Sequence, residues 1–237
     1  MNEKKWSFAR QQKYDFCRRA FYFKYISKST AENFSQAYES YQLKSFAFNT
    51  LFYDRSLSLS SFTPQFYKES CKYNLPSESV EQIRNETTVF LQSEFYLTTS
   101  PALVFHNQPP AYNTASIEDV DILGSIDFVW TEKNGSVNIV TISERSIHFA
   151  MLYGLRKLGV SPDRLNTGTL KQNFNIVWYD IDWNRIQEIQ DQALSFNFSN
   201  DINDFPLTDY KNNCHSCHYY NECSDIKPQT SSQLVTI

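Results

Sequence analysis

The sequence predicts an α/β fold, a mixed-sheet core preceded by an N-terminal helical insertion and followed by a cysteine-rich tail. Three observations carry that expectation. Up to about residue 100, apolar and aromatic residues recur at helical spacing. Beyond it, short apolar segments appear, two of them joined by Glu132-Lys133-Asn134-Gly135, whose Asn-Gly pair is a hairpin signal. After the hairpin, helical and strand patterns alternate, as expected for helices packed on a mixed sheet. The corresponding segments are 1–28 (a helix with the first cysteine), 29–100 (the helical insertion), 101–200 (the α/β core) and 201–237 (the tail).

Taken in order, Ser7 is placed to cap a helix running to about Tyr25, with Tyr14, Cys17, Phe21 and Tyr25 at spacings of three and four along one face. Residues 32–55 read as an aromatic helix, 56–64 as a loop and 79–96 as an amphipathic helix. A strand is expected at 102–106, ahead of the Pro109-Pro110 loop. Apolar segments at 120–130 and 137–143 flank the hairpin. Residues 146–158 read as a helix, 173–181 as a strand and 183–193 as the last helix before the tail.

With 237 residues, 41% of them hydrophobic and 16% aromatic, the chain is long enough to bury a substantial core. No stretch approaches the run of about 20 apolar residues that a membrane span requires, so no membrane partner is expected. A net charge of -4 excludes a global basic footprint for nucleic acid. The basic charge is local, because residues 1–28 carry net +6 from Lys4, Lys5, Arg10, Lys13, Arg18, Arg19, Lys24 and Lys28 against Glu3 and Asp15. Such a segment reads equally as a phosphate-contacting surface and as a solvated helix face.

The cysteines are split between the two ends, with Cys17 near the head and Cys214, Cys217 and Cys223 in a C-x2-C-x5-C tail. Four thiolates complete the shell of a 4Fe-4S cluster or a zinc ion, and a three-cysteine run must draw its fourth ligand from elsewhere. Zinc sites are usually built from two nearby cysteine pairs, and only one pair is present, which favours iron-sulfur with zinc as the alternative. Cys214-His215-Ser216-Cys217-His218 also spells the C-x-x-C-H string of covalent haem attachment. That reading requires export, and the N-terminal residues have neither an apolar h-region nor a cleavage site, so a reducing cytoplasmic location is expected. Ordinary reduced thiols are the remaining reading. Cys71 stands alone in a polar stretch.

Trp6-Ser7-Phe8-Ala9-Arg10 and Cys17-Arg18-Arg19-Ala20-Phe21-Tyr22-Phe23-Lys24-Tyr25 resemble the opening of RecB-type nucleases of the PD-(D/E)XK superfamily. The C-x2-C-x5-C tail resembles their iron-sulfur subgroup, which includes AddB nuclease domains and CRISPR-associated exonucleases that process new spacers. The resemblance covers the two ends and the central hairpin and implies a restriction-endonuclease-like core. It also implies a chemistry in which clustered carboxylates hold Mg2+ or Mn2+ at adjacent strand ends and a lysine orients water for phosphodiester hydrolysis. Gly124-Ser125-Ile126-Asp127 resembles the family's G-x-x-D turn, which makes Asp127 the first metal carboxylate.

The second strand departs from the family. Fourteen residues after Asp127, where (D/E)-x-K is expected, stand Thr141 and Ser143. A hydroxyl is a poor Mg2+ ligand, and serine carries no positive charge. Glu144 and Arg145 follow directly and offer a substitute carboxylate and cation, although strand alternation changes the face they occupy. On the next helix His148 departs from the family pattern, while Tyr153 corresponds. The family's histidine has no counterpart between residues 30 and 103, and His106 lies too late. The expectation is a pseudonuclease with Asp127 vestigial, binding DNA, in particular single strands, through Arg10, Arg18, Arg19, Lys24 and Tyr153. A scaffold in a helicase, nuclease, defence or CRISPR adaptation complex is the related reading. The enzymatic alternative is a Mg2+- or Mn2+-dependent DNA exonuclease with a rearranged acidic cluster.

Overall fold

A computed structural model describes residues 4–28, 36–99 and 112–206, together with Cys214, Cys217, Tyr219, Glu222 and Cys223 of the tail. The elements, in chain order, are β1 (Lys4–Trp6), α1 (Phe8–Phe16), α2 (Arg18–Phe21), α3 (Gln36–Tyr53), α4 (Leu59–Ser70), α5 (Ser77–Gln92), α6 (Glu94–Thr98), β2 (Tyr112–Ile117), β3 (Val120–Ser125), β4 (Phe128–Thr131), β5 (Val137–Thr141), α7 (Ile147–Leu152), β6 (Leu165–Leu170), β7 (Ile176–Tyr179) and α8 (Trp183–Leu194). π-Helical turns follow α2 at Tyr22–Ile26 and α7 at Tyr153–Lys157. The chain forms two units, one of Met1–Trp6 and Phe34–Phe196 and the other of Ser7–Asn33 and Asn197–Ile237.

The larger unit is mixed α/β. One sheet has the order β1-β3-β2, with β1 parallel and β2 antiparallel to β3. The other runs β4-β5-β6-β7, antiparallel at both ends and parallel between β5 and β6. The parallel pair needs a crossover, which α7 supplies. The expected hairpin joins β4 to β5: Gly135 adopts φ 85°, and Asn134 Oδ1 accepts from the Ser136 amide at 2.9 Å. Asn-Gly thus sits where a positive φ is required.

The apolar segment expected over 120–130 divides at Ile126-Asp127, so that β3 and β4 lie in different sheets. Tyr53 spans this corner, its hydroxyl donating to the Asp127 carbonyl at 3.3 Å and accepting from the Val129 amide at 2.9 Å. Three strands, β1, β2 and β6, are not expected from the sequence. β6 reads Leu165-Asn166-Thr167-Gly168-Thr169-Leu170, too polar to signal a core strand, yet Thr167 and Thr169 are buried. The loop expected over 56–64 is instead largely helix α4. Ser58 caps it by accepting from the Ser61 amide at 3.2 Å, and Phe62 and Phe66, one turn apart, enter the core despite Pro64. The strand expected at 102–106, and His106 with it, lie outside the described residues.

Within the smaller unit the expected Ser7 cap forms, accepting from the Arg10 amide at 3.3 Å. The helix does not continue as one piece. Cys17 takes an extended conformation (φ -162°, ψ 110°), ending α1 and starting α2. Tyr14 and Phe21 still meet, with ring centroids 5.5 Å apart, and Phe205 stacks on Phe21 at 5.8 Å. Cys17, expected on that aromatic face, packs instead with Ala20, Phe23, Cys217 and Tyr219.

Candidate metal centre

The cysteine site is built from α2 and two backbone turns of the tail. The break at Cys17 takes its thiol out of the regular helical array and into a buried cluster with Cys217. A turn closed by the Cys217 amide donating to the Cys214 carbonyl at 3.1 Å holds that pair together. A second turn, Cys223 amide to Tyr219 carbonyl at 3.0 Å, folds the third tail cysteine back. Tyr219, fully buried, clusters with Cys17, Ala20 and Cys217 and stacks on Phe23 with centroids 5.9 Å apart.

Burial pushes the Cys223 thiol up to about 11, and the charges of Cys217, Cys17 and Cys214 push it the same way. Cys17, Cys214 and Cys217 therefore each lie within electrostatic reach of Cys223, whereas Cys71 is exposed in the other unit. Among the described residues, no three Cys, His, Asp or Glu side chains form a group with metal-holding geometry.

The four cysteines belong to one unit, but three or more of them do not form a metal-holding group in this arrangement. Cys17 is buried and Cys214, Cys217 and Cys223 are half-buried. Arg19 is 7% exposed, and its Nε is buried with no hydrogen-bond partner. Its charge is the one influence acting downward on Cys223.

Of the other expected nucleic-acid contacts in this unit, Arg18 is exposed, with its guanidinium 5.1 Å from the Tyr14 ring. Arg10 and Lys24 are half-buried, their charged groups 5.0 and 5.4 Å from the centre of the Tyr25 ring. Arg19 turns inward and is not placed to meet a phosphate at the surface. Tyr153, in the larger unit, is buried against Phe149 at 6.0 Å and has no face open for a base to stack on.

The acidic position is enclosed. Asp127 has no exposed surface; Ser45 donates to Oδ1 at 2.7 Å, the Ile142 amide to Oδ2 at 2.7 Å, and the Tyr41 hydroxyl approaches both oxygens at 3.4 and 3.5 Å. Burial raises its carboxyl above the ordinary value, opposed by the donors Ser45, Ile142, Asn49 and Tyr41. Three of these donors come from α3, where Tyr41, Ser45, Asn49 and Tyr53 follow one another at four-residue steps along a single ridge. Sequence reasoning missed them; the available signal was this polar stripe in an otherwise apolar helix.

The neighbouring positions add no carboxylate. Thr141 is buried, and its hydroxyl donates to the Ser143 carbonyl at 2.9 Å. Glu144, considered as a substitute, is exposed and paired with Lys171 rather than directed at Asp127. Arg145 is exposed. His148 Nε2 lies 3.9 Å from Asp182, and burial lowers its pKa despite that carboxylate. A hydrated Mg2+ keeps several waters and needs open space around its carboxylates, which this arrangement does not provide.

Among the described residues no helix is long and apolar enough to cross a membrane. In comparison with known proteins, no family model matches the chain and no curated protein matches it.

Proposed function

We propose that this chain is a catalytically silent PD-(D/E)XK nuclease-like protein whose two ends are stapled by a metal-thiolate centre, a 4Fe-4S cluster with zinc as the alternative. It binds DNA, single strands in particular, or serves as scaffold for a helicase, nuclease, defence or CRISPR adaptation partner. The observation that carries the silent reading is the enclosure of Asp127, whose two oxygens accept from Ser45 and Ile142 in a fully buried position. A metal-dependent nuclease needs that carboxylate open to a hydrated cation beside a second acid, and Thr141 stands in the second place.

Cys17, Cys214, Cys217 and Cys223 would hold the metal, which when bound supplies a cross-link between segments roughly two hundred residues apart. The DNA reading is supported by the cationic helical segment, where exposed Arg18 and half-buried Arg10 and Lys24 lie beside tyrosine rings. Cations set among aromatic rings suit a flexible, charged strand with unstacked bases.

The test is anaerobic purification with analysis of iron, acid-labile sulfide and zinc, followed by nuclease and binding assays on the same sample. The expected result is a loaded centre, no digestion of end-labelled single strands with Mg2+ or Mn2+, and binding that weakens with salt and falls when Arg18 and Lys24 are both changed to Glu. Digestion that stops in Asp127→Ala would replace this reading with the exonuclease one.

A further inference from the structure

Phe16 closes α1 and is 47% exposed, the one large apolar side chain among the smaller unit's described residues to be left in solvent. Tyr14, Phe21, Tyr22 and Phe205, by contrast, pack on one another within that unit. The break at Cys17 sets where Phe16 faces. In an unbroken α-helix, residues two apart stand about 200° apart around the axis, so Phe16 and Arg18 would face opposite ways. Extended backbone reverses successive side chains instead, and Cys17, with φ -162° and ψ 110°, is buried while Phe16 and Arg18 on either side of it are both exposed. One extended residue thus turns a thiol inward and brings an aromatic ring and a guanidinium outward together. Lys13, one turn before Phe16, holds its ammonium 5.9 Å from the centre of the ring, and Arg18 lies 5.1 Å from the centre of the Tyr14 ring. Asp15 is the adjacent acid, and its Oδ1 accepts from Gln11 Nε2 at 2.9 Å. The surrounding segment is cationic, since residues 1–28 carry net +6 in a chain of net -4.

We infer that Phe16 is the stacking platform for an unpaired base of single-stranded DNA, with Lys13 and Arg18 meeting the phosphates beside it. This rests on the DNA-binding reading proposed above and names the residue that separates single strands from duplex within it. Charge complementarity commits the exposed ring to a polyanion, because an apolar partner surface would have to strip water from the two cations set near it without pairing them. Every base has a π-face, so an aromatic ring among cations holds an unstacked base whatever its identity. In a duplex the bases are stacked on their neighbours, and only the phosphate contacts are left to this surface. Phe16 takes the stacking role that the sequence suggested for Tyr153, which is buried.

The experiment titrates the full-length wild type, Phe16→Ala, Phe16→Trp and Arg18→Gln against three labelled probes over a salt series: oligo(dT), an abasic strand of equal length, and the oligo(dT)-oligo(dA) duplex. Phe16→Ala is expected to weaken binding of oligo(dT) about 5- to 100-fold, the range of one base stacked on one ring. Phe16→Trp should keep that affinity, while the abasic strand and the duplex bind wild type and Phe16→Ala alike. The slope of log affinity against log salt should stay at the wild-type value in Phe16→Ala, since a ring releases no counterion, and become shallower by about 0.7 in Arg18→Gln, the share of one phosphate contact on a single strand. Melting of Phe16→Ala close to wild type is expected from the exposure of the ring, and it separates loss of the platform from loss of the fold. Unchanged oligo(dT) affinity in Phe16→Ala, or an equal loss on the duplex, overturns the inference and leaves DNA binding standing. A wild type that binds neither the strand nor the duplex removes the DNA-binding reading itself, and the platform with it.

Discussion

The Ser45 hydroxyl donates to Asp127 Oδ1 at 2.7 Å, joining α3 to the sheet corner across 82 residues of sequence. The Ile142 amide donates to the other oxygen, so one carboxylate ties together the helix, the corner between β3 and β4, and the end of β5. A residue suited by its sequence context to hold a metal is used here to hold the fold.

Asp127→Ala should therefore be a stability variant. It leaves the Ser45 hydroxyl and the Ile142 amide buried without their acceptor, and each such loss costs about 1–3 kcal/mol. Urea unfolding is expected to report a decrease of at least about 2 kcal/mol, with DNA affinity of the folded fraction unchanged. Unaltered stability would mean that the enclosure seen around Asp127 does not persist in solution.

The raised Asp127 carboxyl also sets a pH dependence. Below the unfolded carboxyl value of about 3.9, both states hold the proton. As pH rises from there through the higher folded value, the unfolded chain releases its proton first and stability falls. The loss levels off once the folded carboxyl is ionised as well. Asp127→Asn removes this contribution, so the stability of wild type minus that of Asp127→Asn should decline with rising pH across that window. A difference that rises with pH would show that the donors outweigh burial.

Much of the fold is legible in local pattern and little of the site is. The Asn134-Gly135 hairpin, the Ser7 cap and α8 follow from turn chemistry, capping and periodicity, which act over a few residues. β6 escapes notice because Thr167 and Thr169 are polar side chains accommodated inside a sheet, an effect of tertiary context. The break at Cys17 is equally invisible, since α1 and α2 share one continuous helical pattern. The position of Asp127 follows from the G-x-x-D string, but its enclosure depends on a helix 82 residues away, and no local pattern carries such a pairing.

Gly124 offers a test of how tightly that string is packed. A Cβ built on Gly124 falls within the ring of Phe149 on α7, and Phe149 is itself buried. Gly124→Ala must displace the helix or the ring, and overpacking of this kind costs about 1–3 kcal/mol. Thermal or urea unfolding should show that loss, and Phe149→Leu in the same chain should recover part of it. Additive losses in the double variant would mean that the two positions do not share this contact.

The cysteines separate the metal reading from the bland one. Cys17 is buried with Cys217, while Cys71 is exposed and belongs to the other unit. If the terminal thiols act as one donor set, Cys17→Ser removes a quarter of the soft coordination and closes no chain loop, so the bound metal and the stability it confers are lost together. Cys71→Ser should retain full metal content and the wild-type melting temperature. Metal analysis paired with melting before and after chelation reads both effects: chelation should lower the wild-type and Cys71→Ser transitions and leave Cys17→Ser unmoved. Equal metal content in Cys17→Ser and wild type would mean that the chain's head is not part of the centre and that the staple is absent.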